Sequence, residues 1–408
     1  MRIGIFTDTY PPYINGVSTS ISMLESALRK KGHQVFIVTV NPENMKYKYE
    51  KNIIRIPGIP TGIYDYRLTG IYPIRAVKTI KKWNLDVIHS HTEFGIGTFA
   101  RIIAKQLNIP LVHTYHTMYE DYVHYITKGY FNGTSKKIVE HLTKFYCDKT
   151  AKELIVPTKK AYDLFIEKYK VEKNVHIIPT GIEIEKFYKE NINEKKLNKI
   201  KEKLNITKED FIILYIGRLG QEKNVDFLID NQEYFTKKNK NIKLVIVGSG
   251  PDYDKYKEKT KKLNLEENII LTGKVPYNEI QYYYNLGNVF VTASTTETQG
   301  LTVIEAMSAS VPVVCIDDES FRNTVVNGLN GYLFKTKEEY IKYIEELISN
   351  KTKIKKLANQ ARISTDQYSS KYYAERVLDV YKKTIKENKV KRTFLGRTAS
   401  VIKKGIKE

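Results

Sequence analysis

Residues 211–223 read Phe-Ile-Ile-Leu-Tyr-Ile-Gly-Arg-Leu-Gly-Gln-Glu-Lys. Six consecutive apolar residues that stop at a glycine describe a strand covered on both faces, the kind found inside a parallel sheet. Similar short runs recur at 243–247, 269–272, 289–292 and 311–315, each followed by a glycine-containing or polar loop and then a helical stretch. Strands that alternate with helices predict a parallel, doubly wound sheet.

The preceding residues repeat the plan. A strand at 3–6 leads through a loop into a helix over 17–31, with Ile21, Leu24 and Leu28 at helical spacing and Gly32 placed to end it. Further strands are expected at 35–40, 53–56, 86–90, 111–115 and 153–157. The fold class is therefore α/β, with two Rossmann-like doubly wound domains. Ligands bind such sheets at the carboxyl ends of their strands, so two of them facing one another would form a cleft. The expected division is 1–184 and 185–370, with the linker near 180–184. A last helix over about 372–386 belongs to a segment 371–388 that crosses back to the first domain. A basic tail, 389–408, follows it.

A chain of 408 residues is long for one domain, and 41% hydrophobic with 28% charged residues is globular in composition. Two cysteines, Cys147 and Cys315, exclude a disulfide framework. The apolar run at the N-terminus is stopped by Asp8 and Pro11-Pro12, too early for a secretory signal, and no window resembles a membrane span. The formal charge of +21 fits nucleic acid, an anionic membrane surface or an anionic substrate. No nucleic-acid-reading motif accompanies it, so nucleic acid is not expected as a partner. Nor does the sequence point to an obligate protein partner. The expected location is the cytoplasmic face of the cell membrane, bound peripherally.

Three segments carry chemistry. Pro11-Pro12-Tyr13-Ile14-Asn15-Gly16-Val17 joins a strand to a helix, and Gly16 lets backbone N–H groups approach a phosphate there. The dinucleotide fingerprint G-x-G-x-x-G is absent. Arg218 and Lys223 leave the sheet five residues apart across a glycine turn, where two cations can clamp a diphosphate and stabilise a departing nucleoside diphosphate. A basic loop paired with a neighbour is the plain alternative. In Glu297-Thr-Gln-Gly300-Leu301-Thr302-Val-Ile-Glu305, the acids are eight residues apart and Gly300 precedes a helix start. The Leu301 and Thr302 amides can meet a phosphate, Glu305 one turn on can accept ribose hydroxyls, and Glu297 can accept those of a sugar ring.

Taken in order, Gly16, His116, Arg218, Lys223 and the Glu297-x7-Glu305 pair resemble the retaining glycosyltransferases of family 4, which have the GT-B fold. The likeness covers nearly the whole chain and includes Val247-Gly248-Ser249-Gly250-Pro251. More narrowly, HTEFGIGTFA (91–100), TYHTMYEDY (114–122) and TASTTETQGLTVIEAM (292–307) resemble bacterial 1,2-diacylglycerol 3-glucosyltransferases, which use UDP-glucose. Many members of the family have a Phe-Gly pair where this chain has Gln299-Gly300. The resemblance implies catalytic roles for His116, Arg218, Lys223 and Glu297. It implies that Arg218 and Lys223 hold the diphosphate with help from Gly16, Leu301 and Thr302. Glu305 is implied at the ribose, Glu297 and His116 at the donor sugar, and Val275 beside the base. It implies no tightly bound cofactor or metal; a UDP-sugar is the donor substrate. Metal spacing is also lacking in the residues, since His89 and His91 alternate along a strand end and should point to opposite faces.

For the acceptor, residues 67–84 place Ile74, Val77 and Ile80 at helical spacing, with Arg75, Lys78, Lys81 and Lys82 on neighbouring faces and Trp83 at the end. A basic amphipathic helix ending in an aromatic suits an anionic bilayer interface. The alternative is a surface helix packed on its own sheet. His124, Tyr125, Lys128, Tyr130 and Phe131 are weaker acceptor candidates, and 382–408, with ten Lys/Arg against two Glu, is a second surface-binding segment. The expected substrates and partners are UDP-glucose, diacylglycerol and anionic lipids. Other acceptors for the same donor chemistry, a polyprenyl-linked glycan or a sugar phosphate, and a nucleotide-sugar epimerase are the alternatives.

Overall fold

A computed structural model describes residues 1–13, 15–60, 67–93, 95–116, 140 and 143–405; for residues 146, 148, 149 and 391–405 only the backbone is described. The chain divides into two units, Met1–Gly181 with Ser370–Glu408, and Ile182–Ser369.

The first unit contains strands β1 (Arg2–Phe6), β2 (Gln34–Val40), β3 (Lys48–Glu50), β4 (Ile53–Ile56), β5 (Ile59–Pro60), β6 (Arg67–Leu68), β7 (Val87–Ser90), β8 (Leu111–Thr114), β9 (Glu153–Val156) and β10 (Asn174–Ile177). Eight form one sheet in the order β10-β9-β8-β7-β1-β2-β4-β3, parallel except for β3, while β5 and β6 make a separate hairpin. From β1 the chain winds outward through β2 and β4, then returns to β7 on the other side of β1. The crevice between β1 and β7 is thus the point at which the winding reverses, where α/β sheets take ligands.

Asn15 starts the first helix, Gly16–Lys30, by accepting a hydrogen bond from the Ser18 amide at 2.9 Å. Its apolar stripe, Ile21, Leu24, Ala27 and Leu28, packs with Tyr373, Ala374, Val377 and Tyr381 of the last helix, Ser370–Gly405. That helix continues unbroken through the stretch expected as a tail, in keeping with its lysines and arginines, which are strong helix formers.

The second unit contains β11 (Phe211–Ile216), β12 (Ile242–Val247), β13 (Ile269–Gly273), β14 (Val289–Thr292), β15 (Val313–Ile316) and β16 (Gly331–Phe334). All are parallel, in the order β13-β12-β11-β14-β15-β16, which is the Rossmann order 3-2-1-4-5-6. Five of the six residues of β11 are buried, and apolar clusters cover both faces of the sheet. Here the winding reverses between β11 and β14. Both cysteines are buried, Cys147 in the first unit and Cys315 in the second.

Candidate active site

In the second unit the loop after β11 carries Arg218 and Lys223, and the loop after β14 carries Glu297. The two loops flank the reversal point. The first is held backbone to backbone against the turn after β12. Leu219 N–H donates to Ser249 O at 3.0 Å, and Asp252 N–H donates to Leu219 O at 3.0 Å. Gly248 has φ +142°, and a Cβ there would stand 1.9 Å from Gly217 O; at Gly250 it would stand 2.2 Å from Leu219 O. The Gly-Ser-Gly turn is thus required by the approach of the Arg218 loop.

Arg218 is paired with Glu222, the neighbour that the plain alternative anticipated. Lys223 reaches across to the other loop, where its Nζ donates to Glu297 Oε1 at 2.5 Å. Gly300, with φ +71°, turns the chain into the helix Leu301–Ser308, and a Cβ there would meet the Phe321 ring at 2.4 Å. Gly300 at the N-cap has no side chain to cap this helix, and its first amides, Leu301 and Thr302, face its N-terminal end.

Glu305 lies one turn into that helix, buried, and accepts from Tyr284 Oη at 2.6 Å. Burial pushes its carboxyl up to about 7, against the opposing pull of the Tyr284 hydrogen bond and the Lys186 ammonium. Lys186 donates to Tyr277 O at 2.7 Å and lies 3.8 Å from the centre of the Tyr277 ring. Val275 packs on the same apolar cluster as Leu301 and Tyr284. Sequence reasoning missed Lys186, Tyr277 and Tyr284. The one signal was the position of Tyr277, two residues past Val275.

In the first unit, Gly16 occupies the exposed first turn of its helix. Asp8, just past β1, is buried; it accepts from the Ile96 amide at 3.0 Å and from Thr92 Oγ1 at 2.5 Å. Its carboxylate therefore ties the loop after β1 to the start of the helix Gly95–Leu107, where a negative charge is favoured. His116, two residues past β8, contacts His91 Nδ1 through its Nε2 at 2.9 Å. Burial pushes His116 down to about 4, opposed by the Glu93 carboxylate and aided by His113. His113 Nε2 in turn donates to Glu93 Oε1 at 2.9 Å. His89 and His91 do not point apart as expected: their ring centroids are 3.9 Å apart. Residues two apart along a strand share a face, and His91, one past the last strand residue, keeps the side of His89. Among the described residues no group of His, Cys, Asp and Glu is arranged to hold a metal ion.

The basic helix, Ile74–Lys82, exposes Arg75, Lys78, Lys81 and Lys82. Trp83, expected at the membrane face, is instead buried and stacks on Phe36 at 4.9 Å. Val77 and Ile80 turn inward with it, because their stripe with Ala76 covers the sheet. The exposed apolar groups are others, namely Ile59, Leu68, Ile71, Tyr72 and, 74% exposed, Ile74. No helix among the described residues is long and apolar enough to cross a membrane. His124, Tyr125, Lys128, Tyr130 and Phe131 lie outside the described residues.

Known proteins share this architecture. A family model described as Glycosyltransferase Family 4 matches residues 14–186, and one described as Glycosyl transferases group 1 matches 197–364. An alpha-monoglucosyldiacylglycerol synthase of Acholeplasma laidlawii is 36% identical over 96% of this chain and 99% of its own length. One of Streptococcus pneumoniae is 36% identical over 82% of this chain and 75% of its own length. Among solved structures, Anabaena HepE in complex with UDP-glucose superimposes with a TM-score of 0.71 at 16% identity, covering 93% of this chain and 99% of that one. Sucrose-phosphate synthase from Thermosynechococcus elongatus does so with 0.72 at 18% identity, covering 93% and 98%. With two Rossmann-like sheets, a cation–acid pair where the second sheet reverses, and full-length relatives of this identity, the chain belongs to the GT-B glycosyltransferases of family 4, the family of the alpha-monoglucosyldiacylglycerol synthases.

Proposed function

We propose that this enzyme transfers glucose from UDP-glucose to 1,2-diacylglycerol, with retention of anomeric configuration, at the cytoplasmic face of a membrane. The 2.5 Å contact between Lys223 and Glu297 carries the donor half of this reading. A cation suited to phosphate and an acid suited to sugar hydroxyls, one hydrogen bond apart, fit the two sides of a phosphate–sugar bond. The names of the two synthases support the acceptor. So does a surface on which Leu68, Ile71 and Ile74 stand exposed beside Arg75, Lys78, Lys81 and Lys82, a pattern suited to an anionic bilayer.

In this reading the bond from the sugar's anomeric carbon to the β-phosphate oxygen breaks, and its electron pair stays on the departing UDP. The lipid hydroxyl attacks the same face and gives its proton to that phosphate. Arg218, Lys223 and the Leu301 and Thr302 amides stabilise the charge that builds there, with no tightly bound metal assigned. His116 touches the sugar. Incubating the protein with UDP-glucose and diacylglycerol in anionic vesicles should yield α-glucosyl-diacylglycerol and UDP. The double variant Leu68→Ser/Ile74→Ser should reduce vesicle binding by about 100-fold or more, the loss of burial of two aliphatic side chains. Absence of glycolipid together with robust transfer to a soluble sugar would sink the lipid assignment.

Glu305 adds a pH signature. Ribose hydroxyls donate to its ionised form, so bound nucleotide lowers a carboxyl that stands at about 7 in the protein. Below that value a proton must leave before the nucleotide binds. UDP affinity, measured by calorimetry, should therefore fall as pH drops through 7, approaching tenfold per unit. Glu305→Gln should flatten the profile. A wild-type profile already flat from pH 8 to 5.5 would remove Glu305 from the ribose.

A further inference from the structure

Four histidines meet at the carboxyl ends of β7 and β8, and two of them are fully engaged. His89 bonds through Nδ1 to Tyr381 Oη at 2.6 Å and through Nε2 to Thr114 Oγ1 at 2.7 Å. His113 lies between Glu93 and Ser90, with Nε2 2.9 Å from Glu93 Oε1 and Nδ1 3.0 Å from Ser90 Oγ. His91 is different. Its ring stacks on His89, its Nδ1 contacts His116 Nε2 at 2.9 Å, and its Nε2 is buried with no hydrogen-bond partner among the described residues.

Burial holds both His91 and His116 neutral at physiological pH. A neutral imidazole has one N–H and one bare nitrogen, so a contact between two of them admits only two proton arrangements. If His116 Nε2–H donates, His91 must keep its own hydrogen on Nε2, as a buried donor without an acceptor. If His91 Nδ1–H donates, only a bare ring nitrogen is left in that place. Orphaned buried N–H groups are the rarer and costlier of the two. The second arrangement therefore prevails, and the remaining hydrogen of His116 lies on Nδ1.

We propose that His91 is the positioning residue of His116, fixing it through a 2.9 Å hydrogen bond as the Nδ1–H tautomer, so that His116 meets the sugar as a neutral hydrogen-bond donor and not as a base. The part concerning the sugar rests on the function proposed above; the tautomer does not. His89, clamped by Thr114 and Tyr381, supplies the surface on which the His91 ring is stacked.

The test uses full-length protein with 15N-labelled histidine. Long-range proton–nitrogen spectra, assigned by the signals lost in His116→Gln, should show His116 with its hydrogen on Nδ1. Asparagine places an amide donor near the Nδ1 position of histidine, glutamine near the Nε2 position, and leucine neither. His91→Asn should therefore keep the His116 tautomer and most of the turnover. His91→Gln and His91→Leu should lose the single tautomer and lower kcat about 5- to 15-fold with little change in KM, the loss of one net hydrogen bond. Hydrogen on Nε2 of His116 in the wild type would overturn the proposal, as would equal impairment of His91→Asn and His91→Leu. Should His91→Leu fail to fold, the wild-type and His91→Asn spectra still decide. Wild-type protein that makes no glycolipid would defeat the proposed function and leave the spectral test standing.

Discussion

Lys223→Ala is expected to lower kcat for glucosyl transfer by roughly 10²- to 10³-fold, the scale of removing one fixed donor from developing negative charge. Two effects act together. The variant removes the cation assigned to the leaving phosphate, and it takes from the Glu297 carboxylate the ammonium that now stands 2.5 Å away. The acid then repels the diphosphate, so KM for the donor should rise as well. Glu297→Gln in the Lys223→Ala background should then recover part of the KM loss, and the two substitutions should be strongly non-additive in a double-mutant cycle. Lys223→Arg should not restore wild-type turnover, because a planar fork cannot replace a point charge on the same stem. Steady-state kinetics at saturating acceptor measures all four proteins. A loss of less than about fivefold for Lys223→Ala would show that the diphosphate is held elsewhere.

Gly248→Ala should be severely damaging, although it touches none of the charged groups. Its φ of +142° is a glycine-only conformation, and the added Cβ would stand 1.9 Å from the Gly217 carbonyl oxygen. The backbone of one of the two loops must move, at a cost of about 3 kcal/mol or more. For a unit of this size that corresponds to a fall in Tm of roughly 6–12 °C. The displaced loop carries Arg218 and Lys223, so activity should fall even below the melting transition. Gly328→Ala is the control in the same unit: its φ is +76°, but nothing lies within 4 Å of the position a Cβ would take. It should suffer the conformational cost alone, about 1–2 kcal/mol. Equal shifts for the two variants would mean that the close approach of the loops is not what demands Gly248.

The central strands were legible because burial on both faces writes a continuous apolar run, as in β11. The edge strands β10 and β16 were not, since an edge lacks one neighbour and its residues need not be apolar throughout. Arg218, Lys223, Glu297, Gly300 and Glu305 stood out because strand-end loops and a helix start place their chemistry within short spans. Lys186 did not: it meets Tyr277 and the field of Glu305 only after the second sheet has formed. The periodicity of 74–83 identified a helix with a stripe, yet spacing cannot say what a stripe faces, and Trp83 found Phe36 rather than solvent. His91 was misjudged because residues two apart in a strand share a face, whereas the expectation set them on opposite ones.

The first unit is assembled from two stretches that flank the second, residues Met1–Gly181 and Ser370–Glu408. A ribosome must therefore complete the entire second unit before it delivers Tyr373, Val377 and Tyr381, which close the earlier-made core and supply the hydroxyl to His89. Chains that terminate before Ser370 contain every strand of the second sheet but lack the Tyr381 hydroxyl that holds His89. Synthesis thereby imposes its own order: the second sheet is complete before the histidine cluster of the first can be.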